Sequence, residues 1–335
     1  MLIARRCITT NISFSIAQHI SIGLRKEMLM NNSTHVAVIG AGVIGLCWAA
    51  LFAAKGYEVQ VYDPRDDLDD QLTHTLPLYL KQIPDLPQDV NSILSRVHAC
   101  HDLKKATMDA KYIQESGPES VTFKQALWAE IEQYVSADCL LLSSSSGIVA
   151  STQGAKMNNS HRIVIGHPFN PPHILPLVEI CAAKTTSPQL IQQATEFYQS
   201  LGKFPVALNH EKSGFVANRL QMALVLEAIK LVNEGVVGIK ELDDIVTHSL
   251  GIRWASVGPL LAFHLGGGAG GLTHLLEHIG VGLANAIGQP DMLTNDLISA
   301  IGKQANNAYP KRDLQHYCDE RDRRQQVIIN DQNSH

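Results

Sequence analysis

The segment His35-Val36-Ala37-Val38-Ile39-Gly40-Ala41-Gly42-Val43-Ile44-Gly45 decides the fold of this chain. An apolar run that favours a strand leads directly into three glycines spaced Gly-x-Gly-x-x-Gly, and residues 46–54 then favour a helix. In a dinucleotide-binding turn, the first glycine allows a tight bend, the second lets a pyrophosphate approach the backbone, and the third lets the helix pack on the strand. We therefore expect Gly40, Gly42, Val43, Ile44 and Gly45 to surround the pyrophosphate of a dinucleotide cofactor.

An acidic residue follows at the distance that such a cofactor site requires. A second predicted strand, residues 58–62, ends at Asp63. A carboxylate at this spacing accepts hydrogen bonds from the adenosine ribose. It also repels a 2′-phosphate, so Asp63 favours NAD over NADP, although the neighbouring Arg65 softens that preference.

The composition is that of an ordinary globular protein. The 335 residues, 45% hydrophobic and 18% charged, are enough for a large core. A net charge of −5 without a basic stripe argues against nucleic acid as a partner, and no apolar run is long enough to span a membrane. The six cysteines show neither Cys-x-x-Cys nor metal-ligand spacing, so we expect reduced core thiols. They are Cys7, Cys47, Cys100, Cys139, Cys181 and Cys318.

The first 33 residues are expected to be a disordered extension outside the fold. Basic, Ser and Thr residues are frequent, and no acidic residue occurs before Glu27, which is typical of a transit peptide and of import into the mitochondrial matrix. The alternative is that translation begins later, at Met28 or Met30. We favour the later start, and with it a cytoplasmic location.

Beyond Asp63, strand-like runs alternate with helical stretches, which predicts a mostly parallel, doubly wound sheet. The runs are residues 111–114, 139–142, 162–165, 175–180 and 204–208. Later in the chain, residues 215–232, 242–250 and 283–297 have helical patterns. We therefore expect an α/β Rossmann-type domain over residues 34–212, followed by an all-α domain over residues 213–330 for substrate binding and dimerisation, with the boundary near Gly214.

A second segment carries candidate catalytic groups. It reads Gly166-His167-Pro168-Phe169-Asn170-Pro171-Pro172, and Glu179 follows in the next predicted strand. A histidine removes a hydroxyl proton near neutral pH only if its tautomer and ring direction are fixed, and a carboxylate on the far ring nitrogen fixes both. In a chain with 15 histidines such a pair is more often structural. Together with the dinucleotide motif, it predicts oxidation of an alcohol.

The ordered motifs together resemble the 3-hydroxyacyl-CoA dehydrogenase family from about residue 34 onwards. They are the three glycines, Asp63, the serines 143–146, the His167 segment, Glu179 and Gly214-Phe215-Val216-Ala217-Asn218-Arg219. The resemblance implies an active site of Ser145, His167, Glu179 and Asn218, with Asn170 in support. Ser144 and Ser146 remain alternatives to Ser145. The resemblance also implies a homodimer.

The role of Glu115 is open between two interpretations. It follows the predicted strand at 111–114 and precedes a segment with helical character. It either lines the cofactor side of the site or is a solvated acid at the start of a helix.

Two departures from the family pattern concern the substrate. Pro168 replaces an aromatic residue after His167, and further prolines stiffen the loop that follows. The segment after Asp63, which approaches CoA in the family, carries four aspartates and no lysine before Lys81. Carboxylates there would repel CoA phosphates, which predicts a small free hydroxy acid, unless the aspartates are only a solvated helix start. They are Asp66, Asp67, Asp69 and Asp70.

The C-terminal half is most similar to the L-carnitine dehydrogenase branch of the family. The resemblance rests on residues 251–255 and on the glycine-rich segment from His264 to Gly271. Aromatic faces suit a trimethylammonium group, so Trp254 and Phe263 are the candidates for it, and Arg253 is the candidate for the carboxylate. Alternatives are 3-hydroxyacyl-CoA or L-gulonate as substrate, and an NAD-binding structural protein like lambda-crystallin. His264, His274 and His278 lack a convincing metal-ligand spacing, so no metal is expected.

Overall fold

The computed structural model describes residues 34–84, 86 and 89–334. The predicted N-terminal extension, the transit-peptide and start-site interpretations and Cys7 lie outside the described residues. The contacts divide the chain into two compact units, which meet in sequence after Met222. The predicted domain boundary at residues 212 and 213 stays a prediction.

The first unit is built on an eight-stranded sheet in the part of the chain that the structure describes. Its strands are β1 (His35–Ile39), β2 (Glu58–Tyr62), β3 (Val97–Cys100), β4 (Tyr112–Glu115), β5 (Leu140–Ser143), β6 (Ile163–Pro168), β7 (Leu177–Ala182) and β8 (Phe204–Ala207). The strand order is β3-β2-β1-β4-β5-β6-β7-β8, and the pairings are parallel except that between β6 and β7. The predicted doubly wound, mostly parallel sheet is confirmed.

The sequence analysis missed β3, which lies at one edge of the sheet. None of its four residues is fully buried, and His98 is exposed. An edge strand pairs on one side only and needs no continuous apolar run. Its sequence therefore carries little of the signal that identified the central strands.

Seven helices cover the sheet within the described first unit. They are α1 (Val43–Ala54), α2 (Leu68–Leu80), α3 (Val90–Leu94), α4 (Leu103–Thr107), α5 (Val121–Ile131), α6 (Ala150–Gln153) and α7 (Pro188–Ser200). Helix α1 is buried from Gly45 to Ala54. The indole of Trp48 stacks on Phe52 with ring centroids 5.4 Å apart, inside the larger core cluster. The glycine turn is therefore attached to a closely packed part of the core.

The described second unit contains only helices. Helix α8 (Ala217–Asn233) begins before the division at Met222, and it is followed by α9 (Ile239–Thr247), α10 (Leu250–Ser256), α11 (Pro259–Gly266), α12 (Gly271–Leu275), α13 (Val281–Ala286), α14 (Asn295–Ala308) and α15 (Leu314–Gln332). Among the described residues, no helix combines the length and the apolar character needed to cross a bilayer.

Two helix predictions in this region were wrong in their extent. The segment 283–297 is not one helix, because α13 ends at Ala286 and α14 begins at Asn295. Gly288 has a φ of +78°, a left-handed conformation that ends a helix, and the Thr294 side chain caps α14. The segment 242–250 likewise contains the end of α9 and the first residue of α10.

The five cysteines in the described residues are all free. Cys47, Cys139 and Cys181 are buried, as expected for core thiols, whereas Cys100 and Cys318 are partly exposed. Burial raises the pKa of the Cys139 thiol to about 12. The buried thiols are therefore protonated and unreactive near neutral pH.

Gly45 and Gly42 should respond differently to a methyl group. A Cβ on Gly45 would lie 1.8 Å from the Gly40 carbonyl oxygen, whereas a Cβ on Gly42 would meet no atom within 4 Å. We expect Gly45→Ala to lower the free energy of unfolding by about 1–3 kcal/mol, because the turn and helix must separate. We expect Gly42→Ala to keep its stability and to lose NADH affinity, because the methyl group would occupy the predicted pyrophosphate position.

Urea unfolding measures the first effect and NADH fluorescence titration measures the second. Equal stability of the two variants, or undiminished NADH binding by Gly42→Ala, would contradict this account of the turn.

Candidate active site

The candidate catalytic side chains meet at the carboxyl edge of the sheet, where the ends of β4, β5 and β6 lie side by side. Ligands in open α/β sheets bind at this edge. A cavity of about 420 Å³ opens there. Four of the predicted catalytic residues line it, namely Ser145, His167, Asn170 and Asn218.

His167 and Glu179 form a buried, hydrogen-bonded pair. They are direct partners in the antiparallel β6–β7 ladder, so their side chains project from the same face of the sheet. The Nδ1 atom of His167 lies 2.8 Å from Oε2 of Glu179, and the two residues are 4% and 2% exposed. A carboxylate accepts, so the neutral ring holds its proton on Nδ1 and leaves Nε2 as a proton acceptor.

The other oxygen of Glu179 is held by the backbone. Its Oε1 atom accepts hydrogen bonds from the amides of Val216 and Ala217 at 2.9 and 3.0 Å. Burial raises the pKa of Glu179, but the hydrogen bonds from His167 and from these two amides outweigh it and hold the pKa below its usual value. Glu179 therefore remains an anion beside His167.

Phe215 brings those amides into place. Its backbone has a φ of +48°, which is unusual for a residue other than glycine, and its side chain is fully buried. The ring of Phe215 lies 5.2 Å from the His167 ring. The ring of Phe169 lies 5.5 Å from the His167 ring in an edge-to-face contact. The two aromatic rings limit the directions that the imidazole can take.

The loop between β6 and β7 is held by a buried lysine. Lys203 donates through Nζ to the carbonyl oxygens of Pro172 and Leu175, the latter at 3.0 Å. Burial, with a smaller contribution from Lys55, lowers the pKa of Lys203 to about 8. These bonds tie the proline-rich loop to the sheet on the C-terminal side of Asn170.

The four serines have different surroundings. Ser143 is buried and donates to Glu115. The hydroxyl oxygen of Ser144 accepts hydrogen bonds from Trp48 and Gln114. Ser145 donates to Glu119 at 2.5 Å inside the cavity. Ser146 accepts through its carbonyl from the Asn218 amide at 2.9 Å. The assignment of the catalytic role to Ser145 stays a prediction.

Glu119 is a site residue that the sequence analysis missed. Its Oε1 atom accepts from Ser145 and from the amide of Gly147 at 2.9 Å, and Lys124 lies 3.6 Å from Oε2. Burial raises the pKa of Glu119, but Ser145 and Lys124 reverse the effect and hold the pKa below its usual value. The only sequence signal was a second acid four residues after Glu115, just before a helix.

The structure corrects one of the two interpretations of Glu115. The residue is fully buried, so it is not a solvated acid, and its predicted position on the cofactor side of the site stays a prediction. Its two oxygens lie 2.7 and 2.8 Å from Nζ of Lys124 and also accept from Ser143 and the amide of Gly117. Glu115 instead forms a buried ion pair that holds Lys124, and Lys124 lines the cavity.

A second cavity holds the groups predicted to bind the cofactor. Gly40, Gly42 and Asp63 line it, and Ser116 and Gly117 line both this cavity and the first one. Among the other motif residues, Val43 is 55% exposed, Ile44 lines the first cavity, and Gly45 is buried. The open space beside Gly42 fits a pyrophosphate, and the shared wall fits a cofactor that extends from one cavity into the other.

Asp63, the predicted ribose ligand, is held by hydrogen bonds from Ala41 and Arg65. Its Oδ2 atom accepts from the Ala41 amide at 2.7 Å, and Oδ1 accepts from Nε of Arg65 at 2.9 Å. Burial raises the pKa of Asp63, but these bonds outweigh it and lower the pKa below its usual value. Arg65 thus partly neutralises the carboxylate that is predicted to select against a 2′-phosphate.

The four aspartates after Asp63 are exposed at the start of α2, with Asp69 and Asp70 in its first turn. Acidic residues at this position stabilise a helix through its dipole. Their predicted repulsion of CoA stays a prediction.

Trp254 and Phe263 lie on α10 and α11 in the second unit and are 40% and 37% exposed. Arg253 precedes Trp254 on α10. Their contacts with substrate stay predictions. His264 is buried and accepts from the Leu272 amide, and the described residues contain no group of three His, Cys, Asp or Glu side chains placed to hold a metal.

A dinucleotide fold with a buried histidine–carboxylate pair defines the class of protein: an NAD-dependent oxidoreductase that acts on CH–OH groups. Residues 35–211 match the model of the 3-hydroxyacyl-CoA dehydrogenase NAD binding domain, and residues 214–306 match that of the 3-hydroxyacyl-CoA dehydrogenase C-terminal domain. The chain therefore belongs to the 3-hydroxyacyl-CoA dehydrogenase family.

Individual relatives agree with this assignment. The chain is 35% identical to the L-carnitine dehydrogenase of Streptomyces coelicolor, over 87% of this chain and 92% of the relative. It is 39% identical to a 3-hydroxyacyl-CoA dehydrogenase of Gibberella moniliformis, over 73% of this chain and 77% of the relative. The crystal structure of a 3-hydroxyacyl-CoA dehydrogenase from Archaeoglobus fulgidus has the same fold, with a TM-score of 0.67 and 24% identity over 90% of this chain and 99% of the other.

The Glu179 carboxylate should contribute to stability in a pH-dependent way. Its pKa is lower in the folded chain than in the unfolded chain, so its contribution is present above about pH 4.5 and is lost as the pH falls through the folded pKa. We expect the free energy of unfolding to fall less steeply below pH 4.5 in Glu179→Gln than in the wild type. At pH 7 we expect the variant to be about 1–3 kcal/mol less stable.

Urea unfolding at a series of pH values measures both effects. Glu196→Gln, which changes an exposed glutamate on α7, is the matched control and should follow the wild type. Parallel curves for the wild type and Glu179→Gln would show that Glu179 has no shifted pKa.

Proposed function

We propose that this protein oxidises the 3-hydroxyl of a small hydroxy acid with NAD as hydride acceptor, and that the substrate is L-carnitine, which becomes 3-dehydrocarnitine. The observation that carries the proposal is the buried contact of 2.8 Å between His167 and Glu179 at the edge of a cofactor cavity. NAD supplies the redox chemistry when bound, because its nicotinamide accepts a hydride.

His167 acts as the general base. Its free Nε2 takes the proton of the C3 hydroxyl as the hydride leaves C3, so the C–O bond becomes a carbonyl and the imidazole becomes an imidazolium. Glu179 stabilises that positive charge without changing its own protonation state. Because its other oxygen is held by the Val216 and Ala217 amides, the carboxylate keeps its position during the transfer.

Ser145, Asn218 and Asn170 position the substrate oxygen. Asn218 donates one amide hydrogen to the Ser146 carbonyl and retains a second donor for the substrate. The Ser145 hydroxyl donates to Glu119 in the described structure. Its proton reaches the substrate oxygen only when that bond is broken, so Asn218 is the donor that is available without rearrangement.

The choice of L-carnitine rests on relatives and on the residues suited to its charges. The Streptomyces coelicolor L-carnitine dehydrogenase aligns with most of the chain. The partly exposed faces of Trp254 and Phe263 suit the trimethylammonium group, which cannot donate hydrogen bonds, and Arg253 suits the carboxylate.

A second candidate is a 3-hydroxyacyl-CoA, such as 3-hydroxybutyryl-CoA. It is favoured by the Gibberella moniliformis relative, which is named a 3-hydroxyacyl-CoA dehydrogenase and is slightly more identical. L-gulonate is a further possible substrate of the same chemistry. A purely structural, NAD-binding role is a different class of function, and the intact His167, Glu179 and Asn218 argue against it.

The test is NADH formation by the purified protein on L-carnitine, D-carnitine, L-gulonate, 3-hydroxybutyrate and 3-hydroxybutyryl-CoA. We expect selective turnover of L-carnitine.

In His167→Gln we expect turnover to fall by about a hundredfold or more while NADH binding persists. Turnover of the CoA ester alone would replace the substrate assignment, and normal turnover by His167→Gln would remove the base assignment. NAD binding without turnover of any substrate would favour the structural role.

We also propose that the protein is a cytoplasmic homodimer that pairs through α8. Met222, Leu226 and Ile229 lie on one face of this helix and are 50%, 60% and 59% exposed. An apolar helix face of this kind suits a symmetric, hydrophobic interface. We expect light scattering at assay concentration to give twice the monomer mass, and a single monomeric species would contradict the proposal.

A further inference from the structure

Three side chains contact the hydroxyl of Ser144, and Tyr198 extends this hydrogen-bond network into the core. Tyr198 donates to Oε1 of Gln114 at 2.7 Å, and Nε2 of Gln114 donates to the Ser144 oxygen at 2.8 Å. Nε1 of Trp48 donates to the same oxygen at 3.1 Å. Ser116 completes the set, with its Oγ 2.9 Å from that of Ser144. Tyr198, Gln114 and Trp48 are fully buried.

The direction of the last bond follows from counting protons in this orientation of the Gln114 amide. A serine hydroxyl accepts two hydrogen bonds and donates one. The Ser144 oxygen accepts from Trp48 and from Gln114, so its own proton is donated to Ser116. Ser116 is therefore an acceptor toward the core, and its own proton is left to donate elsewhere.

Ser116 lies between the two cavities. It is partly exposed and, with Gly117, forms the wall that the two cavities share. Its backbone packs against the nucleotide turn, because a Cβ on Gly40 would lie 2.7 Å from the Ser116 carbonyl oxygen. A dinucleotide with its pyrophosphate at Gly42 and its nicotinamide beside His167 would have the ribose between them at this wall.

We propose that Ser116 binds the cofactor and donates a hydrogen bond from its hydroxyl to the nicotinamide ribose of NAD. Tyr198, Gln114 and Ser144 are positioning residues, because they orient that hydroxyl without touching the cofactor. The proposal rests on the proposed position of the nicotinamide beside His167. It gives a role to a polar network in the core that general-base catalysis by His167 does not use.

The test compares three ligands that share one half. ADP has the adenosine and the pyrophosphate, ADP-ribose adds the second ribose, and NADH adds the nicotinamide. We expect Ser116→Ala and Ser116→Cys to weaken the binding of NADH and of ADP-ribose by about three- to tenfold, because one hydrogen bond is lost. The affinity for ADP should be unchanged. We expect Ser116→Thr, which keeps a hydroxyl, to retain most of the affinity. Calorimetry measures all three dissociation constants without turnover.

Two further variants separate this proposal from simpler explanations. Ser92→Ala changes an exposed serine on α3 and should bind all three ligands normally. Tyr198→Phe removes the donor that orients Gln114, and it should weaken NADH and ADP-ribose although Tyr198 is fully buried. A thermal unfolding curve for each variant verifies that it is folded.

The outcomes are distinct. Unchanged NADH and ADP-ribose binding by Ser116→Ala would overturn the proposal. Weaker ADP binding would move the contact to the pyrophosphate, and a loss confined to NADH would move it to the nicotinamide, so either would overturn the ribose assignment. His167→Gln should leave ADP-ribose binding unchanged. A failure of His167 as the base is therefore separable from a failure of the Ser116 contact.

Discussion

The two oxygens of the Glu179 carboxylate connect three parts of the chain. One oxygen holds His167 on β6, the other holds the amides of Val216 and Ala217 at the start of α8, and the residue itself lies on β7. A buried carboxylate is costly unless its oxygens are hydrogen-bonded. The carboxylate is therefore stabilised only when three features occur together. They are the pairing of β6 with β7, the left-handed backbone of Phe215 and the orientation of the imidazole.

The antiparallel pairing of β6 with β7 meets this requirement. A parallel neighbour that follows in sequence would need a long crossover to place a second side chain beside His167. An antiparallel neighbour needs only a short loop to set the two residues opposite each other. The pairing of β6 with β7 is the single antiparallel step in the described sheet. This departure from an otherwise parallel sheet places His167 and Glu179 opposite each other.

The sequence predicted those features that depend on local pattern. The glycine spacing and the alternation of apolar runs were sufficient for β1 and for a doubly wound, mostly parallel sheet, and the segment around His167 was sufficient for the candidate pair with Glu179. The position of Glu119 and the burial of Glu115 were not predictable, because both depend on Lys124 and on the turn at residues 145–148, which approach only in the folded chain. The break between α13 and α14 was missed although Gly288 and Pro290 mark the end of a helix in the sequence.

The ladder between β6 and β7 also separates chemistry from specificity. His167 and Glu179 are paired by strand register, so the residues of the connecting loop beyond Asn170 can change in length and composition while this pairing is kept. The loop also carries Phe169 and Asn170, which line the cavity. Mutation and selection can therefore reshape one short loop while His167 and Glu179 remain paired, which gives this scaffold a route to new substrates.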